Sequence, residues 1–209
     1  MAVDGAAPGL QLKVMLVDSL LESLDLVITQ NFPSTIFRLN ELLAAPMFNN
    51  PMFAAEPPGC RLPPELKWAQ TCRLQPVAAL TTETTRVINS LFGYCSIVEE
   101  LVEGMKMEVE QRGYADVRTH NEILSLLNAI QSATPLYYDL INIYNRTGQK
   151  LTGQMAESPG HKKHYLCRIY HTDKTEYQAL CNIVWRVRND LSAIQNMILE
   201  HWDELKPAD

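Results

Sequence analysis

The chain has 209 residues, 46% of them hydrophobic, which is enough for one large domain or two small ones with a real core. Its 18 basic and 24 acidic side chains leave a net charge of −6, without the basic excess that phosphate binding demands, so nucleic acid is not an expected partner. Every apolar stretch meets a charge or a proline well before ~20 residues, and the N-terminus lacks the basic region of a signal peptide. These features predict a soluble intracellular protein that spans no membrane.

Four segments repeat apolar residues at alternating spacings of three and four, which predicts four long helices. The first covers about 10–45, with a bend at Pro33, and the second about 74–109. The third covers about 117–146, with a kink near Pro135. The fourth covers about 173–205, with Asp173 and Glu176 placed as a capping pair in front.

The connections between these helices set the expected fold. Proline is frequent in the first connection, about 46–73, which we expect to be an exposed, mobile linker. The second covers Glu110 to Asp116 and is short, so the helices on either side should lie antiparallel. The third covers about Thr147 to Tyr170. The helices must bury their stripes on one another, which predicts a single all-α domain over 1–209, an elongated four-helix bundle.

The last helix has more apolar residues than its stripe requires. Outside the stripe lie five large ones, which favour either self-association or a thicker core: Ile183, Trp185, Met197, Leu199 and Trp202.

No pattern in the chain predicts catalysis. His161, His164, Cys167 and His171 form the best zinc-like cluster, but lysines lie between the histidines, and a solvated loop is the favoured interpretation. The five cysteines include no CxxC pair and are expected to be reduced thiols, with Cys95 and Cys181 packed in the core. Phosphate-binding and hydrolase motifs are absent from the sequence. We therefore expect no catalytic residue, no metal and no cofactor.

Two motifs carry a resemblance to a known family. Phe32-Pro33-Ser34-Thr35-Ile36, with Leu39, Leu43 and Pro46, fits the pattern FPxxIxxLxxxLxxP. The C-terminal part matches the family pattern DxxEY, followed by RN, then IL, then a leucine-lysine-proline end. The matching residues are Asp173, Glu176, Tyr177, Val184, Val187, Arg188, Asn189, Ile198, Leu199, Leu205, Lys206 and Pro207. Tyr144 to Gly148 corresponds in position to the stretch YFSERG. In these features the chain resembles the 11S regulator (REG) family of proteasome activators.

The resemblance implies a function at one end of the bundle. Family members form seven-membered rings that cap the 20S proteasome at its α-subunits and open its gate without ATP. The activation loop that displaces the gate would correspond to Glu110, Gln111, Arg112, Gly113, Tyr114, Ala115 and Asp116. The docking C-terminus would correspond to Lys206, Pro207, Ala208 and Asp209. A homo- or hetero-oligomer in the nucleus, the cytoplasm or both would fit this family.

The activation loop departs from the family sequence EDGNNFGV. Glu110, an aromatic at Tyr114 and Val117 are kept, Gly113 is shifted, and the paired asparagines are missing. The alternative is therefore an oligomeric interaction or scaffold bundle that has lost activation.

Overall fold

The structure is a computed structural model that describes residues 18–50, 53, 75–111 and 117–205. Four helices, here α1 to α4, make up most of these residues, which include no strand. Helix α1 occupies residues 18–44 and contains a π-helical segment, Val27–Asn31, before its last part, Phe32–Ala44. Helix α2 is Gln75–Gln111, α3 is Arg118–Glu157 and α4 is Lys162–Glu200. Among the described residues, no helix is long and apolar enough to cross a bilayer.

The described chain divides into two compact units, each with segments of all four helices. The first takes its described residues from Met1–Phe37, Leu91–Ser132 and Asn189–Asp209. The second takes them from Arg38–Ser90 and Ala133–Arg188. All three long helices from α2 onward pass through both units. The all-α, four-helix prediction is confirmed.

Contacts within the first unit establish the helix directions. Gly104 on α2 lies against Leu20 of α1, while Tyr94, ten residues earlier on α2, contacts the later residue Phe32 of α1. Helices α1 and α2 are therefore antiparallel. Glu99 of α2 accepts a hydrogen bond from the Gln131 amide of α3, at 2.8 Å. The later residues Lys106 and Glu110 lie near the start of α3, so α2 and α3 are antiparallel too, as expected.

The predicted helical stripes form the core of both units. On α2 the stripe from Val77 to Val109 is buried except for the half-buried Thr81, and on α4 the stripe from Tyr177 to Ile198 is buried throughout. Burial of such stripes stabilises the fold by roughly 25 cal/mol for each Å² of apolar surface removed from water. The periodic residues therefore have the structural role that their spacing predicts.

The π-helical segment of α1 ends at Asn31, two residues before Pro33. A proline inside a helix has no backbone N–H and its ring clashes with the carbonyl four residues earlier, here that of Thr29. The backbone N–H of Phe32 instead donates to the carbonyl of Val27, five residues earlier. The helix thus continues past Pro33, and Phe32 packs edge-to-face on Tyr94 with ring centroids 5.3 Å apart.

Two predicted boundaries are wrong. The connection expected over Thr147 to Tyr170 is reduced to Ser158 and a short turn, Pro159–His161, because α3 runs on to Glu157 and α4 begins at Lys162. The apolar stripe of α3 in fact continues to the buried Leu151. Gly148 and Gly153, which are poor helix formers, obscure this continuation in the sequence.

Asp173 and Glu176 do not cap α4. Both lie well inside the helix and are buried, with 2% and 1% of their surface exposed. The hydroxyl of Thr81 on α2 donates to the Glu176 carboxylate at 3.3 Å. Two acidic residues before an apolar run resemble an N-terminal cap in sequence, but here they are partners within the core.

The beginning of the linker is partly buried. Phe48 and Phe53 are buried, and Phe53 stacks on Tyr177 of α4 with ring centroids 4.3 Å apart. The Tyr177 hydroxyl accepts a hydrogen bond from the backbone N–H of Asn50, at 2.9 Å. The expectation of an exposed, mobile linker is wrong for Phe48, Asn50 and Phe53, because a ring stack and hydrogen bonds hold them against α4. The rest of the linker lies outside the described residues.

Candidate functional site

The predicted activation loop begins at the C-terminal end of α2. Glu110 and Gln111 are the last two residues of that helix, and both are exposed. The carboxylate of Glu110 lies 4.0 Å from the ammonium group of Lys106, one turn earlier. Arg112, Gly113, Tyr114, Ala115 and Asp116 lie outside the described residues. Val117 and Arg118 lead the chain into α3.

A buried histidine follows this connection in the sequence. His120, in the first turn of α3, is 1% exposed, and neither of its ring nitrogens has a hydrogen-bond partner. Burial lowers the pKa of His120, and the positive charge of Lys106 lowers it further, against the opposing effect of Glu110. The side chain is therefore held in its neutral form. It continues the apolar stripe of α3, three residues before the buried Ile123.

The start of α3 is hydrogen-bonded to the last described residues after α4. The hydroxyl of Thr119 donates to the carboxylate of Glu204. His201 lies one turn before Glu204, and its Nδ1 atom is 3.2 Å from the same carboxylate oxygen. The hydrogen bond from Thr119 and the nearby imidazole of His201 hold the pKa of Glu204 below its ordinary value. Glu204 thus connects the start of α3 to the turn that follows α4.

The predicted docking C-terminus begins two residues after Glu204. Leu205, the last described residue, is buried in the first unit, so the chain is anchored immediately before Lys206. Lys206, Pro207, Ala208 and Asp209 themselves lie outside the described residues. We name the set Thr119, His120, His201, Glu204 and Leu205 the junction. It joins the residues that flank the loop to those that flank the tail.

The zinc-like cluster is not assembled. His164, Cys167 and His171 lie on α4 rather than in a loop, and His161 ends the turn before it. The three histidines are exposed, whereas Cys167 is buried and disulfide-bonded. In the described parts of the chain, no group of three histidine, cysteine or acidic side chains could hold a metal ion.

The expectation of reduced thiols is confirmed for Cys95 and Cys181 and wrong for Cys167. Cys95 is buried, and desolvation raises the pKa of its thiol to about 12, so it is not a reactive thiolate. Cys181 is half-buried, and burial raises the pKa of its thiol as well. Both are poor nucleophiles at neutral pH.

The five surplus apolar residues of the last helix differ in how much of their surface is buried. Ile183 belongs to the core, whereas Trp185 is 56% and Leu199 48% exposed. Met197 and Trp202 are half-buried. The thicker-core interpretation therefore holds for Ile183, and two large side chains remain in contact with solvent.

Sequence reasoning did not identify the junction. Thr119 and Glu204 are 85 residues apart, and neither belongs to a motif. The one available signal was His120, an ionisable side chain at a position where the α3 stripe requires an apolar one. The position of His120 in the stripe predicts that the histidine is buried, but it does not predict which residues lie next to it.

Comparison with known proteins identifies the family. Residues 73–208 match the family model described as proteasome activator PA28, C-terminal. Proteins named proteasome activator complex subunit 3, from Homo sapiens, Mus musculus and Gallus gallus, are each 27% identical over 119 residues, or 57% of this chain. The match spans 46% of the length of those relatives.

A solved structure supports the fold. The crystal structure of the 11S subunit of the Plasmodium falciparum proteasome, PA28, superposes with a TM-score of 0.61 at 11% identity, covering 100% of this chain and 99% of that one. At that identity the likeness concerns the fold alone. Together with the family match over well more than half of the residues, these findings show that the chain belongs to the PA28, or 11S regulator, family of proteasome activators.

Proposed function

We propose that this chain is a non-enzymatic, ATP-independent activator subunit that caps the 20S proteasome and opens its gate, thereby stimulating peptide hydrolysis. The observation that carries the proposal is the hydrogen bond between Thr119 and Glu204. This bond holds Glu204, two positions before the start of the tail, against Thr119, three positions after the end of the loop. A loop that displaces a gate and a tail that docks must act together on one surface, and the junction supplies a common anchor for both.

The proposed ring has seven copies, as in the family. Each copy would present one loop, Glu110 to Asp116, and one tail, Lys206 to Asp209, to the α-subunit ring. Residues Lys206 to Asp209 reach at most ~14 Å when extended. Repetition of a weak contact around a ring can raise the overall affinity by ~100-fold or more, so each single tail contact can be weak. We place this assembly inside the cell, in the nucleus, the cytoplasm or both.

The experiment is a stimulation assay with purified 20S proteasome and short fluorogenic peptides. The full chain should increase hydrolysis without ATP, and a variant with both Gly113→Ala and Tyr114→Ala should lose the stimulation while still binding the proteasome. Deletion of Ala208 and Asp209 should weaken binding, most clearly at low salt, where charged contacts of the tail are least screened. Undiminished stimulation by the loop variant would show that the loop is assigned wrongly.

The second candidate is an oligomeric scaffold that no longer activates. The departure of the loop from EDGNNFGV, above all the missing asparagine pair, favours it. Native mass measurement combined with the same assay separates the two. A seven-subunit ring that binds the proteasome without stimulating it would support the scaffold.

A further inference from the structure

Positive charge is concentrated in one short part of this acidic chain. Between Arg146 and Thr172 the net charge is +4, whereas the whole chain has a net charge of −6. The charged side chains there are one acidic residue, Glu157, and five basic ones: Arg146, Lys150, Lys162, Lys163 and Arg168. The remaining chain must therefore be strongly acidic. The contrast marks this segment as electrostatically distinct.

All five basic side chains are exposed, and none forms an ion pair within the part of the chain that the structure describes. Elsewhere in the second unit the comparable cations do have acidic neighbours, since Arg38 and Arg86 both lie against Glu83. Exposed and uncompensated cations produce a positive potential that attracts an anionic partner. We name these five residues the basic patch.

The helix geometry keeps the basic patch compact. Arg146 and Lys150 are four residues apart and thus share one face of α3, and Lys162 and Lys163 open α4. Ser158 and the turn Pro159–His161 are all that separates the two helices. At 1.5 Å per residue, each member lies within about 18 Å of this turn along its helix. The exposed His161, His164 and His171 surround the same segment without adding negative charge.

We propose that the basic patch is an interaction surface for an acidic polypeptide segment. About six extended residues span ~20 Å, which matches the reach of the patch. A long nucleic acid fits less well, because its phosphates would continue beyond five cations onto a surface of predominantly negative charge. The binding should depend on electrostatics and weaken as salt screens the charges.

The experiment measures the fluorescence anisotropy of a labelled, glutamate-rich peptide of about ten residues titrated with the full chain, at about 0.05 M and about 0.3 M salt. A peptide with glutamine at every glutamate position is the ligand control. We expect at least tenfold tighter binding of the acidic peptide at low salt. The double variant Lys162→Glu, Lys163→Glu should weaken it about tenfold, and the milder Lys162→Gln, Lys163→Gln should do so by a smaller factor.

The matched protein control is the double variant Arg38→Glu, Arg86→Glu, which changes the net charge equally at exposed positions of the same unit. It should leave the affinity within about twofold. Equal binding of the acidic and glutamine peptides would overturn the proposal. So would equal losses in the control and patch variants, or tighter binding of a single-stranded oligonucleotide of the same charge. None of these readings depends on the proteasome, so the proposal stands or fails separately from activation.

Discussion

At the scale of single residues, Glu204 is the connection between the two segments proposed to act on the proteasome. Its carboxylate accepts the hydroxyl of Thr119 and lies beside His201. The variant Glu204→Gln keeps the size of the side chain but removes its charge. We expect this variant to bind the proteasome almost normally while its stimulation of hydrolysis falls severalfold, because the loop loses an anchor to the tail.

Glu200→Gln is the matched control for this prediction. Glu200 is exposed, is the last residue of α4 and lies one turn before Glu204. Its replacement should leave stimulation unchanged. If the Gln variants at 200 and 204 behave alike in the peptidase assay, the junction has no role in positioning the loop.

The buried His120 leads to a prediction about how the stability of the fold depends on pH. Because its folded-state pKa lies below the unfolded value of about 6.5, the unfolded chain takes up a proton first as the pH falls. Proton uptake by this residue therefore does not destabilise the folded protein at pH 7.5, and stability is lost as the pH drops below about 6.5. Urea unfolding of wild type and His120→Leu should show a larger loss between pH 7.5 and 5.5 for the wild type.

The same variant also tests the burial of the histidine at neutral pH. Both ring nitrogens are buried without a hydrogen-bond partner, which costs roughly 1 kcal/mol or more in native stability. Leucine removes these polar atoms, so we expect His120→Leu to be as stable as wild type at pH 7.5 or up to ~1 kcal/mol more stable. A strong destabilisation at pH 7.5 would mean that the imidazole has a partner in solution.

At the scale of elements, two glycines of α2 form a natural comparison. A methyl group added at Gly93 meets nothing within 4 Å, whereas one added at Gly104 comes 3.0 Å from a terminal carbon of Leu20 on α1. Glycine in a helix interior costs about 1 kcal/mol relative to alanine. Gly93→Ala should therefore raise the free energy of unfolding by about 1 kcal/mol, and Gly104→Ala should raise it by less or lower it.

Chemical denaturation of the two alanine variants checks this prediction. Equal stabilisation by both would show that α1 moves away from Gly104 without cost. Gly104 therefore reports on how tightly α1 packs on α2.

At the scale of the whole molecule, apolar surface left on the single chain predicts assembly. Nine large apolar side chains of the described residues are about half exposed or more: Leu26, Phe37, Phe92, Ile97, Met107, Leu136, Ile143, Trp185 and Leu199. Each Å² of such surface covered by a neighbouring copy contributes roughly 25 cal/mol. Analytical ultracentrifugation and native mass measurement at micromolar concentration should find a ring of seven subunits.

Trp185→Glu should shift this equilibrium toward smaller species, because it places a charge where an apolar side chain is expected to be covered. Asn196→Glu adds the same charge at an exposed polar position of α4 and should leave assembly unchanged. A wild-type monomer would refute assembly altogether, and normal assembly of the Trp185 variant would remove this residue from the interface.

The sequence by itself determined that there are four long helices and which apolar stripes of these helices face the core. The stripe of α2 from Val77 to Val109 could be predicted because helical periodicity is a local property, repeated here over about nine turns. The same reasoning was wrong over Thr147 to Tyr170, where glycines lower the helix propensity but the burial of Leu151, Cys167 and Ile169 outweighs it.

The tertiary structure alone decided which distant residues meet. Asp173 and Glu176 resemble a cap in sequence, and only the packing of α4 on α2 makes them buried partners of the core. In the same way, no pattern pairs Thr119 with Glu204, because a hydrogen bond across 85 residues depends on the directions and lengths of the two helices between them, α3 and α4. A periodic pattern specifies a buried face, but the identity of the neighbour on that face is a property of the assembled bundle.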